Sequence, residues 1–360
     1  MAELVGGGNG QRVAVVGCGA ISHQHLSFLQ GSPRVELVAT CDLSASLADF
    51  ARERYGAKAA FVDVSAMLDS ARPEVVHVLT PPHTHVELAQ LVLERGAHVI
   101  VEKPLAPSYD ETEMLVRKAR EVGRAVVEGR NLLYNDQVEV IDALVAQGRL
   151  GELREVEVML SLDLTAGAFG DRNLSGRAVS LRGGAVHDFL PHLTYLALHY
   201  LGCDQTPERV TGTLANLSGN PRVGADHLDA VVWVGNRRAR LYVASDLAPD
   251  AFRLAVRGTA GSATTDFYHP FLRIEGGKNV GKRAPLEQLQ FGARMLGTGI
   301  GNLRDKLLQH GSYHGVPRML DDVYARLAAG LDPPFSDGEL LASAALVDSL
   351  VDLADSSVKP

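Results

Sequence analysis

A short Val-rich run at residues 12–16 passes directly into Gly17-Cys18-Gly19-Ala20-Ile21-Ser22, and this sequence of strand, glycine turn and helix start constrains the fold more than any other stretch. The first glycine permits the turn, the second lets backbone approach a pyrophosphate, and the helix N-terminus supplies oriented N–H groups. Ser22 stands where the usual pattern has a third Gly or Ala, a change that touches only helix packing. A second apolar run, Val35–Cys41, ends at Asp42, roughly 20 residues on, where a carboxylate accepts bonds from both adenosine ribose hydroxyls and repels a 2′-phosphate. No Arg follows closely, so NAD is expected and NADP is less favoured. The blander role for Asp42 is capping the helix that begins near Ser44.

The alternation of strand and helix continues. Leu47, Phe50, Ala51 and Arg54 keep helical spacing up to Gly56, and residues 75–79 form a continuous apolar strand suited to a sheet covered on both faces. After Thr80-Pro81-Pro82, His83 and His85 open a helix, where histidines more often cap or pack than catalyse. The strand at residues 99–101 ends in Glu102-Lys103-Pro104, at the edge of a parallel sheet where ligands bind. A lysine there is expected to sit between two domains. Ser108 and Glu111 form a capping box, and a last strand at residues 125–127 closes a first domain spanning 1–129.

From 130 to 360 the period changes. A helix at residues 138–146 precedes alternating Val156, Val158 and Leu160, then strand-like runs at residues 210–215, 228–234, 240–244 and 252–256, with Gly235-Asn236 as a hairpin turn. This predicts a mostly antiparallel sheet with one covered face, the other being solvated or an oligomer contact. The turn at residues 258–263 reads as a hairpin, and helices are expected at residues 316–329 and 338–353. Between the first two of these strands, Gly183-Gly184 leads to Asp188 and His192, four apart and so on one helix face, with Pro191 in the first turn. They form either a paired acid–base unit or an N-cap with a core histidine. The spacing of His187, Asp188 and His192 matches no metal-ligand pattern, and no metal is expected.

Over 360 residues the net charge is −8, which argues against nucleic-acid or membrane-surface partners, and no apolar run reaches the roughly 18 residues of a membrane span. Cys18, Cys41 and Cys203 lack CxxC spacing and read as reduced packing residues of a cytoplasmic protein. The basic Lys278, Lys282 and Arg283 read as solvated surface, the alternative being a contact with a phosphorylated substrate.

Gly17-Cys18-Gly19-Ala20-Ile21, Asp42, Thr80-Pro81-Pro82 with His85, Glu102-Lys103-Pro104, and Gly183-Gly184 followed by Asp188 and His192 together resemble the glucose–fructose oxidoreductase, inositol dehydrogenase and MocA-like (Gfo/Idh/MocA) family, over nearly the whole chain. The resemblance implies an α/β protein: an N-terminal Rossmann domain with a doubly wound parallel sheet, then a C-terminal α+β domain whose large, mostly antiparallel sheet mediates homodimers or homotetramers. It implies hydride exchange between a nicotinamide and a carbon bearing oxygen on a sugar, sugar derivative or cyclitol. Cofactor contacts carry over to Gly17, Gly19, Ala20, Ile21, Asp42, Thr80, Pro81, His85, Glu102 and Lys103. Lys103 would also bond the substrate oxygen, His192 would accept the proton and Asp188 would orient substrate or lysine, with Tyr134 and Arg172 as further substrate contacts. Pro82 where many members carry Asn, Leu190 in place of Gly, and the lack of a basic residue in Asn131-Leu132-Leu133-Tyr134 bear on substrate identity.

A histidine has the unperturbed pKa a base needs near neutrality, and a lysine supplies charge for a developing alkoxide. The leading expectation is an NAD-dependent dehydrogenase or reductase. The alternatives are an NAD-dependent glycoside hydrolase with transient oxidation and a non-catalytic dinucleotide-binding regulator, which has no need of Lys103, Asp188 and His192 together. Selectivity is expected in the loop at residues 165–182, with Arg172, Arg177 and Arg182.

Overall fold

Five strands with buried Val, Ile or Ala, joined by a short sixth at one edge, need cover above and below, and the computed structural model arranges them in that way. It describes residues 10–164, 181–202, 204, 207–277, 284–307 and 315–356. Packing divides the chain into two units, one of residues through Asn131 with Val316–Leu340, the other of Leu132–Gly315 with Leu341–Pro360.

In the first unit the strands are β1 (Gln11–Val16), β2 (Val35–Cys41), β3 (Ala59–Phe61), β4 (Val75–Val78), β5 (His98–Val101) and β6 (Val126–Glu128). They pair in parallel in the order β3-β2-β1-β4-β5-β6, the doubly wound arrangement. Between them run α1 (Ser22–Gly31), α2 (Ala45–Tyr55), α3 (Val64–Ala71), α4 (His85–Glu94) and α5 (Tyr109–Glu121). The order reverses at β1, so a crevice opens past the carboxyl ends of β1 and β4, beside the Gly17 turn.

One expectation changes in detail and another holds. The buried residues of α2 are Ala48, Ala51 and Tyr55, whereas Leu47 and Phe50 are exposed, because the helix turns its small side chains to the sheet. Ser108 does cap α5: its hydroxyl accepts from Glu111 N and donates to Glu111 Oε2 at 2.8 Å.

The second unit begins with α6 (Asp136–Ala146) and β7 (Leu153–Asp163), then α7 (Gly184–His187) and α8 (Leu190–Leu201). It continues with β8 (Arg209–Ala215), β9 (His227–Val234), β10 (Arg237–Ala244), β11 (Asp246–Gly258), β12 (Gly261–Asp266), β13 (Phe271–Gly276) and α9 (Ala284–Leu307). Late helices are α10 (Gly315–Ala328), most of which groups with the first unit, and α11 (Asp337–Val351). The seven strands run β13-β12-β11-β7-β10-β9-β8, and β7–β10 is the parallel pair among antiparallel neighbours.

Period-two alternation separates the faces of this sheet. The row Leu254, Val158, Leu241 and Ala230 is buried, and α8 covers that side of β7 and β10. On the opposite face, Arg257, Glu155 and Arg238 stand in register, Glu155 accepts from both arginines, and Arg240 donates to Asp229 at 3.0 Å. Arg209 and Arg238 cover the Trp233 ring. No helix among the described residues is long and apolar enough to cross a membrane.

Candidate active site

Gly17 has φ +90, and a Cβ there would lie 2.7 Å from the Leu79 carbonyl oxygen at the end of β4. Only glycine accepts both the conformation and the approach. At Gly19 a Cβ would meet nothing within 4 Å, so the space above the turn is open. The start of α1 has neither a side-chain cap nor an acidic residue in its first turn, which suits its N–H groups to an anion. Ser22 is buried and its hydroxyl donates to the Gly19 carbonyl at 2.6 Å, so the departure from the third glycine tightens the turn.

Asp42 holds this turn from β2. One oxygen accepts from Cys18 N at 2.8 Å and the other from Ser44 N at 2.8 Å. The carboxylate thus belongs both to the glycine turn and to the entry of α2, and each oxygen retains a second lone pair for a ribose hydroxyl. The next side chain, Leu43, is 96% exposed, an apolar surface for a flat ring beside that carboxylate. These features fit a dinucleotide. Gly17→Ala is expected to lower NAD affinity by at least about 10-fold, since the φ +90 conformation alone strains a non-glycine residue by about 1–3 kcal/mol; calorimetric titration with NAD measures it.

At the ends of β4 and β5 the fully buried His85 lies between two backbone carbonyls, one of which accepts the single N–H of the neutral ring. Its Nδ1 lies 2.7 Å from the Pro104 carbonyl and its Nε2 2.7 Å from the Thr80 carbonyl. Burial pushes its pKa down, and the two carbonyls oppose that shift. Thr80 accepts from the Thr84 hydroxyl at 2.7 Å, and Pro81 is exposed. His85 therefore shapes the ligand edge from beneath.

Glu102 and Lys103 are half-buried at the end of β5, and Lys103 N donates to Glu102 Oε2 at 3.3 Å. Glu102 Oε1 lies 3.2 Å from His25 Nε2, a partner on α1. His25 in turn is bonded to His77 on β4, and His77 to Tyr324 on α10. The sequence reading missed all three residues; its signal was an ionisable His77 inside an otherwise apolar strand.

In the second unit, Asp188 ends α7 and His192 lies in the first turn of α8, with Pro191 there as expected. The helical run breaks between them, at Phe189, into a one-turn helix and a longer one. His192 Nδ1 lies 2.7 Å from the Tyr195 hydroxyl, and its ring meets those of Tyr195 and Phe252 edge-on. Tyr195, one turn further along α8 and buried, was not singled out from sequence. Gly184 has φ +63, with a Cβ position 2.3 Å from Ala225 N, so glycine is required for the tight entry to this segment. Tyr134 lies half-buried in a 3-10 turn, while Arg172, Arg177, Cys203, Lys278, Lys282 and Arg283 fall outside the described residues.

Cys18 and Cys41 are buried, and burial raises their thiols to about 12 and about 11, so both stay protonated and packed. Among the described residues, Asp226, His227 and Asp246 lie close enough to share an ion. The histidine already bridges the two carboxylates, at 2.8 and 3.1 Å.

Sequence profiles of two adjoining domains match the chain. "Oxidoreductase family, NAD-binding Rossmann fold" covers residues 11–130, and the GFO/IDH/MocA C-terminal domain covers residues 138–264. D-glucoside 3-dehydrogenase of Escherichia coli (strain K12) is 30% identical over 196 residues, 53% of this chain and 54% of that protein. The 4-carboxy-2-hydroxymuconate-6-semialdehyde dehydrogenase of Sphingobium sp. is 32% identical over 139 residues, 39% of this chain and 44% of that protein. The chain thus spans about half the length of the curated relatives it matches. Among solved structures, the WlbA dehydrogenase from Bordetella pertussis, in complex with NADH and UDP-GlcNAcA, superposes with TM-score 0.78 at 22% identity, covering 97% of each chain. With two profiles matching in tandem over a doubly wound domain and an open-sheet domain, the chain belongs to the GFO/IDH/MocA family of oxidoreductases and carries its NAD-binding Rossmann domain.

Proposed function

We propose that this protein is an NAD-dependent dehydrogenase or reductase acting on a hydroxyl or keto carbon of a sugar, sugar derivative or cyclitol. The observation that carries the reading is Lys103, half-buried at the carboxyl end of β5, in the same sheet whose β1 ends in the glycine turn and whose β2 ends in Asp42. D-glucoside 3-dehydrogenase and Bacillus subtilis glucose-6-phosphate 3-dehydrogenase, among the relatives, supply the substrate class.

Residues 1–129 take the dinucleotide and residues 130–360 the substrate. Bound NAD supplies the two-electron acceptor. In the oxidative direction the substrate carbon loses a hydride and its hydroxyl a proton, leaving a carbonyl. Lys103 donates to the substrate oxygen and stabilises the charge that develops there. His192 takes the proton, assigned to Nε2 because Nδ1 faces Tyr195, and Asp188 orients substrate or lysine. Tyr134 and Arg172 complete the substrate contacts, and Thr80, Pro81, Glu102 and His85 shape the nicotinamide side.

Asp42→Ala is expected to weaken NAD by about 10- to 100-fold, the range for a lost hydrogen bond to a charged group, and to narrow the preference over NADP; Michaelis constants for both dinucleotides measure it. Cytoplasmic residence agrees with two buried, protonated thiols. Self-association through the open face of the seven-stranded sheet belongs to the same proposal, and light scattering tests it.

The deciding experiment is a panel of sugars, glycosides and cyclitols with NAD, followed by absorbance. Stoichiometric NADH supports the proposal. Release of an aglycone without net NADH assigns the redox-neutral hydrolase instead, and binding of NAD with no turnover across the panel assigns a regulator.

A further inference from the structure

Helix α9 turns its apolar side to water. Leu286, Leu289, Ala293, Leu296, Ile300 and Leu303 follow one another by alternate steps of three and four, the period of a helix that packs along a second helix. At 3.6 residues per turn they form one stripe, and Phe291, Thr298 and Asn302 lie on the side opposite. That opposite side meets the rest of the second unit. Its three residues are half-buried, Asn302 Nδ2 donates to the Pro270 carbonyl at 2.9 Å, and the Arg273 guanidinium lies over the Phe291 ring at 5.0 Å. The five large side chains of the stripe keep 56–72% of their surface in water.

A surface helix ordinarily faces its apolar stripe to its own core, and most of its stability comes from that packing. α9 does the reverse, and it carries Gly292, Gly297 and Gly299, poor helix formers, along the rims of the stripe. A Cβ at any of the three would meet nothing within 4 Å, so packing among the described residues requires none of them. Small rim residues do let a second helix backbone approach closely.

We propose that α9 is a self-association helix, pairing antiparallel with α9 of a second copy about a two-fold axis. Reversing one helix on the other sets Leu286 against the partner's Leu303, Leu289 against the partner's Ile300 and Ala293 against the partner's Leu296. Each contact recurs by symmetry, as a two-fold interface requires, and the small central residue faces a large one. A parallel pair would set Ala293 against its own copy and leave a void. It would also bring both Arg304 side chains to one end, whereas the antiparallel pair holds them roughly 28 Å apart and opposes the helix dipoles. Each large side chain offers on the order of 100 Å² of apolar surface. Pairing therefore removes on the order of 1,000 Å² from water over both copies, the size at which a contact becomes specific. A lipid surface could also cover such a stripe, but a helix of that kind carries Lys and Arg on its polar flanks. Apart from Arg304 the rims here are Gln290 and the three glycines, and the chain's net charge is −8.

Light scattering of the full chain at micromolar concentration tests the pairing, with circular dichroism and NAD titration confirming the fold of each variant. Leu289→Glu combined with Leu296→Glu is expected to halve the molar mass and leave NAD affinity unchanged. If the open face of the sheet also pairs, the mass falls from four copies to two; if it does not, from two to one. An unchanged mass overturns the proposal. The direction is read separately: on mild oxidation, a chain carrying both Leu286→Cys and Leu303→Cys is expected to give a covalent dimer, and either change alone to give no more than the wild type. A covalent dimer from Leu286→Cys alone overturns the antiparallel arrangement. A wild type that is monomeric and sediments with vesicles of phosphatidylcholine and phosphatidylserine overturns self-association and assigns the stripe to a lipid surface.

Discussion

Lys103→Ala is expected to fold, bind NAD and lose turnover by about 10² to 10³, the range for one lost donor to a developing oxyanion. Folding survives because Lys103 is half-buried and its backbone N–H bond to Glu102 is retained. Cofactor binding survives because the glycine turn and Asp42 lie on other strands. His192→Ala removes the proposed proton acceptor instead, with an expected effect of about 10² to 10⁴. Groups that act on one transition state are not additive, so the double variant should be little worse than the poorer single one. Lys103→Arg should not restore the rate, since a planar fork does not replace a compact ammonium. NADH formation under saturating sugar, alongside NAD titration by fluorescence, separates the outcomes. Full activity in either single variant removes that residue from the mechanism.

Much of this architecture is legible in the chain because burial leaves a periodic trace. Val75, Val76 and Val78 read as a strand covered on both sides and are, whereas Val156, Val158 and Leu160 alternate because one face of their sheet carries Glu155 and Glu157. The Gly235 turn was legible for a different reason, since a two-residue hairpin demands a left-handed residue and Gly235 has φ +55. What escaped had weak local signals. The strands Ala59–Phe61 and Phe271–Gly276 are short and sit at sheet edges. The helix Ala284–Leu307 contains Gly292, Gly297, Gly299 and Gly301, each costing about 1 kcal/mol relative to Ala, and it exposes Leu289, Leu296 and Leu303, so no inward stripe marks it.

The site divides along the same line. Gly17, Gly19 and Asp42 are found from sequence because their spacing is set by one strand–helix–strand unit. Tyr324 is not, since it meets His77 across 247 positions and periodicity reports which face a residue takes without naming its partner. Tyr195 is the intermediate case: three residues from His192, it could have been found by asking which α8 side chain shares the histidine's face.

The same buried imidazoles make stability depend on pH. His77, His85 and His187 are almost fully buried, and burial lowers the pKa of each. Unfolded, each titrates near 6.5. Below that pH the unfolded chain takes up protons that the folded chain refuses, so their stabilisation is complete above about pH 6.5 and is lost as pH falls toward the depressed folded values. Each contributes a slope of up to about 1.4 kcal/mol per pH unit, and the three together up to about 4, against a total stability of about 5–15 kcal/mol for an ordinary protein. Thermal unfolding followed by circular dichroism should show Tm falling steeply between pH 6.5 and 5. Because His77 and His85 belong to one unit and His187 to the other, two transitions should both move. His77→Gln should flatten the acid dependence of the first alone, and a Tm independent of pH across this window would rule out neutral buried histidines as its cause.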